Sequence, residues 1–182
     1  RIDVEKKIRN SLNYQGKSEG DVESISLIQG AELLYEKREP ITRISTGFFG
    51  VDRLLNGGLK GGQLAIFGAR TSIGKTTLAL QMATSAAEKG HGVVYFSREM
   101  TANELTRKIL GRISGKNPNF FEDQVNLDKE REMVTHHIEL VRNWPLFFND
   151  VSGTIESMLT HVEKIRSRQK ISMVVFDYLQ LI

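Results

Sequence analysis

Ten consecutive residues, Gly68-Ala69-Arg70-Thr71-Ser72-Ile73-Gly74-Lys75-Thr76-Thr77, bring together two glycines, an ammonium and adjacent hydroxyls. They lie between an apolar run, Leu64 to Phe67, and an amphipathic one, Leu78 to Ala87. A strand that turns sharply into a helix leaves backbone N–H groups unpaired at the helix start, where the helix dipole attracts anions. Gly74 lets the main chain approach a phosphate with no Cβ in the way, Lys75 can reach β- and γ-phosphates, and the Thr76 hydroxyl is placed for Mg²⁺. The stretch therefore reads as a phosphate-binding (Walker A) loop, with residues 69–77 cradling the nucleotide. In the strict pattern the first glycine falls on Ala69, directly after Gly68. A chance match in a glycine-rich turn would lack the flanking strand and helix signals.

Two acids are candidates to complete the chemistry. Glu99, in Ser97-Arg98-Glu99-Met100, follows the short β-branched and aromatic run Val93 to Phe96. It directly precedes Thr101-Ala102-Asn103-Glu104, which fits a capping box opening a helix through Leu105, Ile109 and Ile113. A carboxylate at a strand end suits activation of water if the strand shares a sheet with the loop, although a solvent-facing Glu in a turn has the same sequence signature. Asp177 closes the almost wholly apolar run Ser172 to Phe176, the Walker B pattern in which a carboxylate supports the Mg²⁺ shell. Apolar strands ending in Asp are common, and the upstream loop is what gives this one its meaning.

The elements that must position these residues alternate between strand and helix. The glycine-punctuated segment 41–62 leads into the loop, with tight turns at Gly57-Gly58 and Gly61-Gly62. A helix with Leu78, Met82 and Ala86 buried is predicted to run to about Lys89, with Gly90 just beyond its end. Further on come a polar stretch, 111–126, anchored by Phe120-Phe121, and a helix from an Asp128 cap through Arg142. A third strand, Leu146 to Phe148, and a helix capped by Thr154 complete the pattern. His136 and His137 are neighbours on one helix and so are not read as joint metal ligands. Strands separated by helices predict an α/β fold with a parallel sheet and right-handed crossovers.

Composition narrows the classes. With 182 residues, 40% of them apolar, the chain can bury one α/β core. The absence of cysteine removes disulfides, cysteine zinc sites and thiol nucleophiles, and fits a reducing compartment. No apolar run approaches the ~20 residues that span a bilayer, so no membrane partner is expected. The 25 Lys+Arg against 22 Asp+Glu give only +3, which allows nucleic-acid binding without arguing for it. The chain starts with Arg1 and shows no signal peptide, and it reads as an internal piece of a longer protein. Residues 1–17 predict a short amphipathic helix. From an Asp21 cap, Val22, Ile25, Ile28, Ala31, Leu34 and Tyr35 recur at helical spacing up to Pro40, a stripe that fits packing on its own domain or docking on a neighbouring subunit. The expected division is a helical linker segment, 1–40, with its helix at about 21–37, followed by the N-terminal part of an ATPase domain, 41–182.

Taken together, the motifs resemble the ATPase domain of DnaB-type replicative helicases, bacterial or phage. Gly68 to Thr76 is similar to that family's Gly-Ala-Arg-Pro-Ser-Met-Gly-Lys-Thr, Ser97 to Met100 to its Ser-Leu-Glu-Met, and Asp177-Tyr178-Leu179-Gln180-Leu181 to its Walker B ending. Thr46-Gly47-Phe48 with Asp52, and Pro145 to Asp150, resemble its lead-in segment and third strand. The resemblance covers roughly residues 43–182.

It implies a RecA-like P-loop NTPase core preceded by the helical linker, a homo-hexameric ring, and hydrolysis of ATP with Mg²⁺ coupled to movement along single-stranded DNA. Lys75 and Thr76 would bind phosphate and Mg²⁺, Glu99 would be the general base, and Asp177 would support Mg²⁺. Residues 21–37 resemble the linker helix that docks on an adjacent subunit, which favours the docking alternative. A primase and a helicase loader are implied partners, and the cytoplasm the implied location. Thr71 and Ile73 replace the family's Pro and Met, and Arg98 replaces Leu, adding a cation expected to favour ionised Glu99. The family's sensor, DNA-contacting loops and arginine finger follow the Walker B strand. The piece ending at Ile182 is thus expected to bind nucleotide weakly and to unwind nothing alone. A RecA/RadA-like recombinase, and a non-catalytic nucleotide-gated loader or regulatory module, are the alternatives. The Ser-x-Glu-Met element disfavours the first, and intact Lys75, Glu99 and Asp177 disfavour the second.

Overall fold

Every residue of Gly92–Ser97 is buried, and this strand, β3, is the middle of the sheet in a computed structural model of the chain. The structure describes residues 27–28, 42–70, 72–151 and 153–177. Before β3 come a two-residue strand β1 (Arg43–Ile44), helix α1 (Phe49–Leu54), strand β2 (Leu59–Lys60) and helix α2 (Lys75–Glu88). After it come α3 (Ala102–Ser114), a 3₁₀ turn (Pro118–Glu122), α4 (Gln124–Lys129), α5 (Arg131–Val141), β4 (Leu146–Asn149), α6 (Ile155–Arg166) and β5 (Ile171–Asp177). β1 and β2 form a small antiparallel pair, and the main sheet has the order β4-β3-β5, parallel throughout.

A strand buried on both faces needs an apolar residue at every position, and alternation sends them to opposite sides. Val93 and Tyr95 join a core built with Ile44, Leu80, Ala83, Ala86, Ala87, Leu105 and Ile109. Val94 and Phe96 face the other way, onto Met158 and Val162 of α6. The three alanines let α2 lie close to the sheet, and Gly92 permits a similar approach, since a Cβ there would meet the Lys170 carbonyl at 2.2 Å. Thr84 ties α2 to α3 by accepting from Arg112 Nη2 at 2.8 Å.

The ends of several helices follow from their caps. Thr101 and Glu104 form the expected capping box on α3, Thr154 accepts from Ser157 N on α6, and Gly90, at φ +81°, follows the end of α2. Phe120 and Phe121 pack edge to face at 5.2 Å, as anchors of the 3₁₀ turn.

Three expectations are corrected. Leu64 to Phe67 forms no strand: Ile66 is 60% exposed and Phe67 48% exposed, because no described strand takes their backbone hydrogen bonds. The helix expected from Asp128 to Arg142 is two helices broken at Glu130, and Asp123, by accepting from Val125 N, caps the first. On α2 the buried face is Leu80, Met82, Ala83, Ala86 and Ala87 with Thr84, while Leu78 is half-buried. The expected helix at 1–17 lies outside the described residues. So does the linker helix apart from Leu27 and Ile28, which are helical and exposed. Among the described residues no helix is long and apolar enough to cross a membrane.

Candidate functional site

The loop meets α2 at Gly74, which adopts φ +103° as the residue preceding the helix; Ser72 is also left-handed at φ +62°. Among the described residues no side chain caps α2, and no acid sits in its first turn. The 14-residue helix points the positive end of its dipole at the loop, which favours an anion there. Lys75 and Thr76 are half-buried at this end, whereas Ala69, Arg70, Ser72, Ile73 and Thr77 are exposed. The Lys75 ammonium folds back across the loop to donate to the Ala69 carbonyl at 3.1 Å. Thr71 lies outside the described residues.

The two acids lie at the carboxyl ends of adjacent strands. Asp177 ends β5 opposite Ser97, the last residue of β3, and the Asp177 carbonyl accepts from Arg98 N at 2.8 Å. Glu99 follows one residue later in a bend and is exposed. The bend is shaped by Ser97, a buried residue whose Oγ accepts from Met100 N at 3.1 Å. Arg98 turns toward the β4 side, where its guanidinium donates to the Val151 carbonyl. Asp150, just past β4, accepts from Ala102 N at 2.8 Å and so ties that strand end to α3.

The sheet thus brings Glu99 and Asp177 to one end, and α2 packs on the same sheet through its alanines. The loop itself is not carried by a strand of that sheet, so the condition under which Glu99 was expected beside it is not met by strand pairing. Two clefts among the described residues, of about 860 and 490 Å³, lie elsewhere, along Asp128 to Thr135 and between Glu88, Arg112 and Trp144. Neither contains a predicted site residue. The loop lies open, as a site for a large polyanion can.

Sequence reasoning missed Tyr95. Its hydroxyl donates to Asp177 Oδ2 at 2.7 Å, from a fully buried ring packed edge-on to Phe148 at 5.8 Å. Burial, then the hydrogen bond to Asp177 and that carboxylate's charge, push the phenol well above its ordinary range, so it remains a donor throughout the physiological pH range. The available signal was a phenol inside an otherwise apolar strand, because a buried Tyr hydroxyl needs a partner.

Among the described residues no three His, Asp or Glu side chains gather to hold a metal. The Thr76 hydroxyl and the Asp177 carboxylate are hard oxygen donors, the type that Mg²⁺ takes. A parallel sheet with acids at its strand ends, and an uncapped glycine-loop helix packed on one face, is the arrangement of RecA-like P-loop nucleotide-binding domains. The chain belongs to the DnaB-like helicase C terminal domain family, whose model matches residues 43–182.

Among its relatives, the replicative DNA helicase DnaB of Helicobacter pylori is 35% identical over 143 residues, 78% of this chain and 29% of that protein. The probable replicative DNA helicase of Trieres chinensis is 30% identical over 178 residues, 94% of this chain and 39% of that protein. The chain therefore spans between 29% and 39% of the length of these two relatives. In fold it is similar to the ATPase domain of G40P, with a TM-score of 0.70 at 23% identity, covering 85% of this chain and 56% of that one. It is also similar to a DnaB-like replicative helicase whose structure was described together with its interactions with primase. There the TM-score is 0.69 at 20% identity, over 99% of this chain and 46% of that one.

Proposed function

We propose that this chain is part of the motor of a replicative DNA helicase, a homo-hexameric ring that hydrolyses ATP to move along single-stranded DNA and unwind duplex. The observation that carries the reading is the pairing of Ser97 with Asp177, which sets Glu99 and Asp177 at one end of a sheet against which the uncapped phosphate-loop helix packs. Family membership supports the DNA-unwinding part.

In this reading the backbone of residues 69–77 holds the phosphates, and Lys75 exchanges its bond to the Ala69 carbonyl for one to a β- or γ-phosphate oxygen. Thr76 and Asp177 would hold the Mg²⁺, which would supply neutralisation of the charge that develops on the phosphate oxygens. Glu99, exposed and therefore accessible to water, accepts the proton of the attacking molecule. Phosphoryl transfer of this kind is governed by positioning and electrostatics, which explains why so few side chains are required. The exposed Leu27 and Ile28 suit a linker helix that docks on the next subunit. Primase and a loader are the partners this role requires, in the cytoplasm where replication takes place.

The test is DNA-stimulated ATP hydrolysis by the complete protein that carries this chain. Lys75→Ala should abolish it, and Glu99→Gln should lower kcat by roughly 10²–10⁴-fold, the contribution of a positioned base, while nucleotide still binds. Turnover near wild type in either variant removes the role assigned to that residue. Rings by electron microscopy support the helicase, and filaments support a recombinase.

A further inference from the structure

Tyr95 pairs across the sheet with Val175, two residues before Asp177 on the same face of β5. A diagonal neighbour at that offset is within reach of a long aromatic side chain. The Tyr95 hydroxyl closes the gap, donating to Asp177 Oδ2 at 2.7 Å, the usual length of an O–H···O bond. The phenol is packed on several sides. Its ring is fully buried, clamped edge-on by Phe148 of β4, and shares a core cluster with Leu80 and Ala83 of the phosphate-loop helix.

A carboxylate at a strand end can turn about its side-chain bonds, and a single hydrogen bond from a fixed donor stops it. Asp177 is held at its main-chain carbonyl by Arg98 N and at Oδ2 by Tyr95. Oδ1 is the oxygen that the hydrogen bonds among the described residues do not use. We infer that Tyr95 is a positioning residue that orients Asp177 so that Oδ1 serves the magnesium shell, an inference that rests on the role proposed for Asp177 above. The same ring belongs to the core cluster that takes in Leu80 and Ala83 of the helix that carries Lys75 and against which Met173 and Val175 of the acid's strand pack.

The experiment measures binding of a fluorescent ATP analogue to the complete protein as Mg²⁺ is titrated, with a parallel measurement in EDTA. It compares wild type, Tyr95→Phe, Asp177→Asn and the double variant. Partners that orient a metal-supporting carboxylate change metal affinity by ~10–100-fold when removed, so Tyr95→Phe should raise the half-saturating Mg²⁺ by roughly tenfold and leave EDTA affinity unchanged. Asp177→Asn should raise it at least as far, and the double variant no further than Asp177→Asn. Tyr95→Met, a second variant lacking the hydroxyl, should reproduce the shift and decides the matter if Tyr95→Phe does not fold. A shift in Asp177→Asn but in neither Tyr95 variant overturns the inference and leaves the role of Asp177 standing. No shift in Asp177→Asn removes the role on which the inference rests. Equal losses in Mg²⁺ and EDTA for the Tyr95 variants would assign the residue to core packing alone and overturn the inference.

Discussion

Replacing Asp52 by alanine should destabilise the chain by about 3 kcal/mol, from hydrogen bonds to a charged group and the donors left behind. The carboxylate accepts from Ser45 Oγ at 2.6 Å, Thr46 N at 2.7 Å and Thr46 Oγ1 at 2.8 Å. Hydrogen bonds to a charged group contribute ~1.5–3 kcal/mol each, but Ser45 is half-exposed and regains water. Thr46 cannot, because it is completely buried: its N–H would carry a desolvation penalty of ~1–3 kcal/mol, while its hydroxyl can turn to the Phe48 carbonyl, 3.5 Å away. This penalty and the lost bonds overlap, since the segment can relax, which brings the total to about 3 kcal/mol. That is a large part of a typical stability of ~5–15 kcal/mol.

The same carboxylate gives the effect a pH signature. Burial raises its pKa, but hydrogen bonds from Ser45, Thr46 N and Thr46 Oγ1, followed by the charge of Lys89, outweigh burial and leave it below the ordinary value. A depressed folded-state pKa means stabilisation that is complete above the unfolded value of about 3.9 and is lost as pH falls through the folded one. Urea unfolding followed by circular dichroism should therefore show a gap between wild type and Asp52→Ala that is widest near neutrality and shrinks as pH falls below about 4. Equal midpoints at neutral pH, or a gap independent of pH, would refute the reasoning. The consequence reaches the site, because Gly47 lies against Ser85 of the phosphate-loop helix, where a Cβ would come within 2.6 Å of Ser85 Oγ.

Gly58→Ala should destabilise by at least about 2 kcal/mol, the scale of a strained backbone, because φ is +122° there and a Cβ would stand 2.2 Å from the Ile44 carbonyl. A urea midpoint within error of wild type would contradict that geometry. Thr154→Ala removes the acceptor for Ser157 N, 3.3 Å away, and should lower stability by about 1 kcal/mol. An unchanged melting temperature would show that water replaces the cap.

Strand β3 was legible because Val93 to Phe96 is a short run of β-branched and aromatic residues, the types that fit a pleated sheet. The start of α3 was legible for a different reason: a capping box is a local exchange of hydrogen bonds between Thr101 and Glu104 and needs nothing distant. Leu64 to Phe67 failed on the converse ground, since apolarity announces a need for cover but not which strand supplies the backbone partners. The break at Glu130 was invisible because helical spacing continues through it, and the local backbone alone, at φ −113° and ψ 35°, departs from the helix. Lys75, Glu99 and Asp177, whose roles are proposals, were each singled out by a motif. The Tyr95–Asp177 bond was not, because it joins positions 82 residues apart and depends on strand order and register that no local pattern specifies.

The structure of the complete protein as Glu99→Gln, bound to ATP and Mg²⁺, tests most directly whether three side chains from separate parts of the chain meet at one triphosphate. Lys75 Nζ should be released from the Ala69 carbonyl, 3.1 Å away in the free chain, and lie within about 3 Å of a β- or γ-phosphate oxygen. Asp177 should lie within one water of the cation and residue 99 beside the attacking water. A nucleotide bound away from the loop, or Asp177 and residue 99 on the opposite side of the molecule from the Lys75 ammonium, would contradict it.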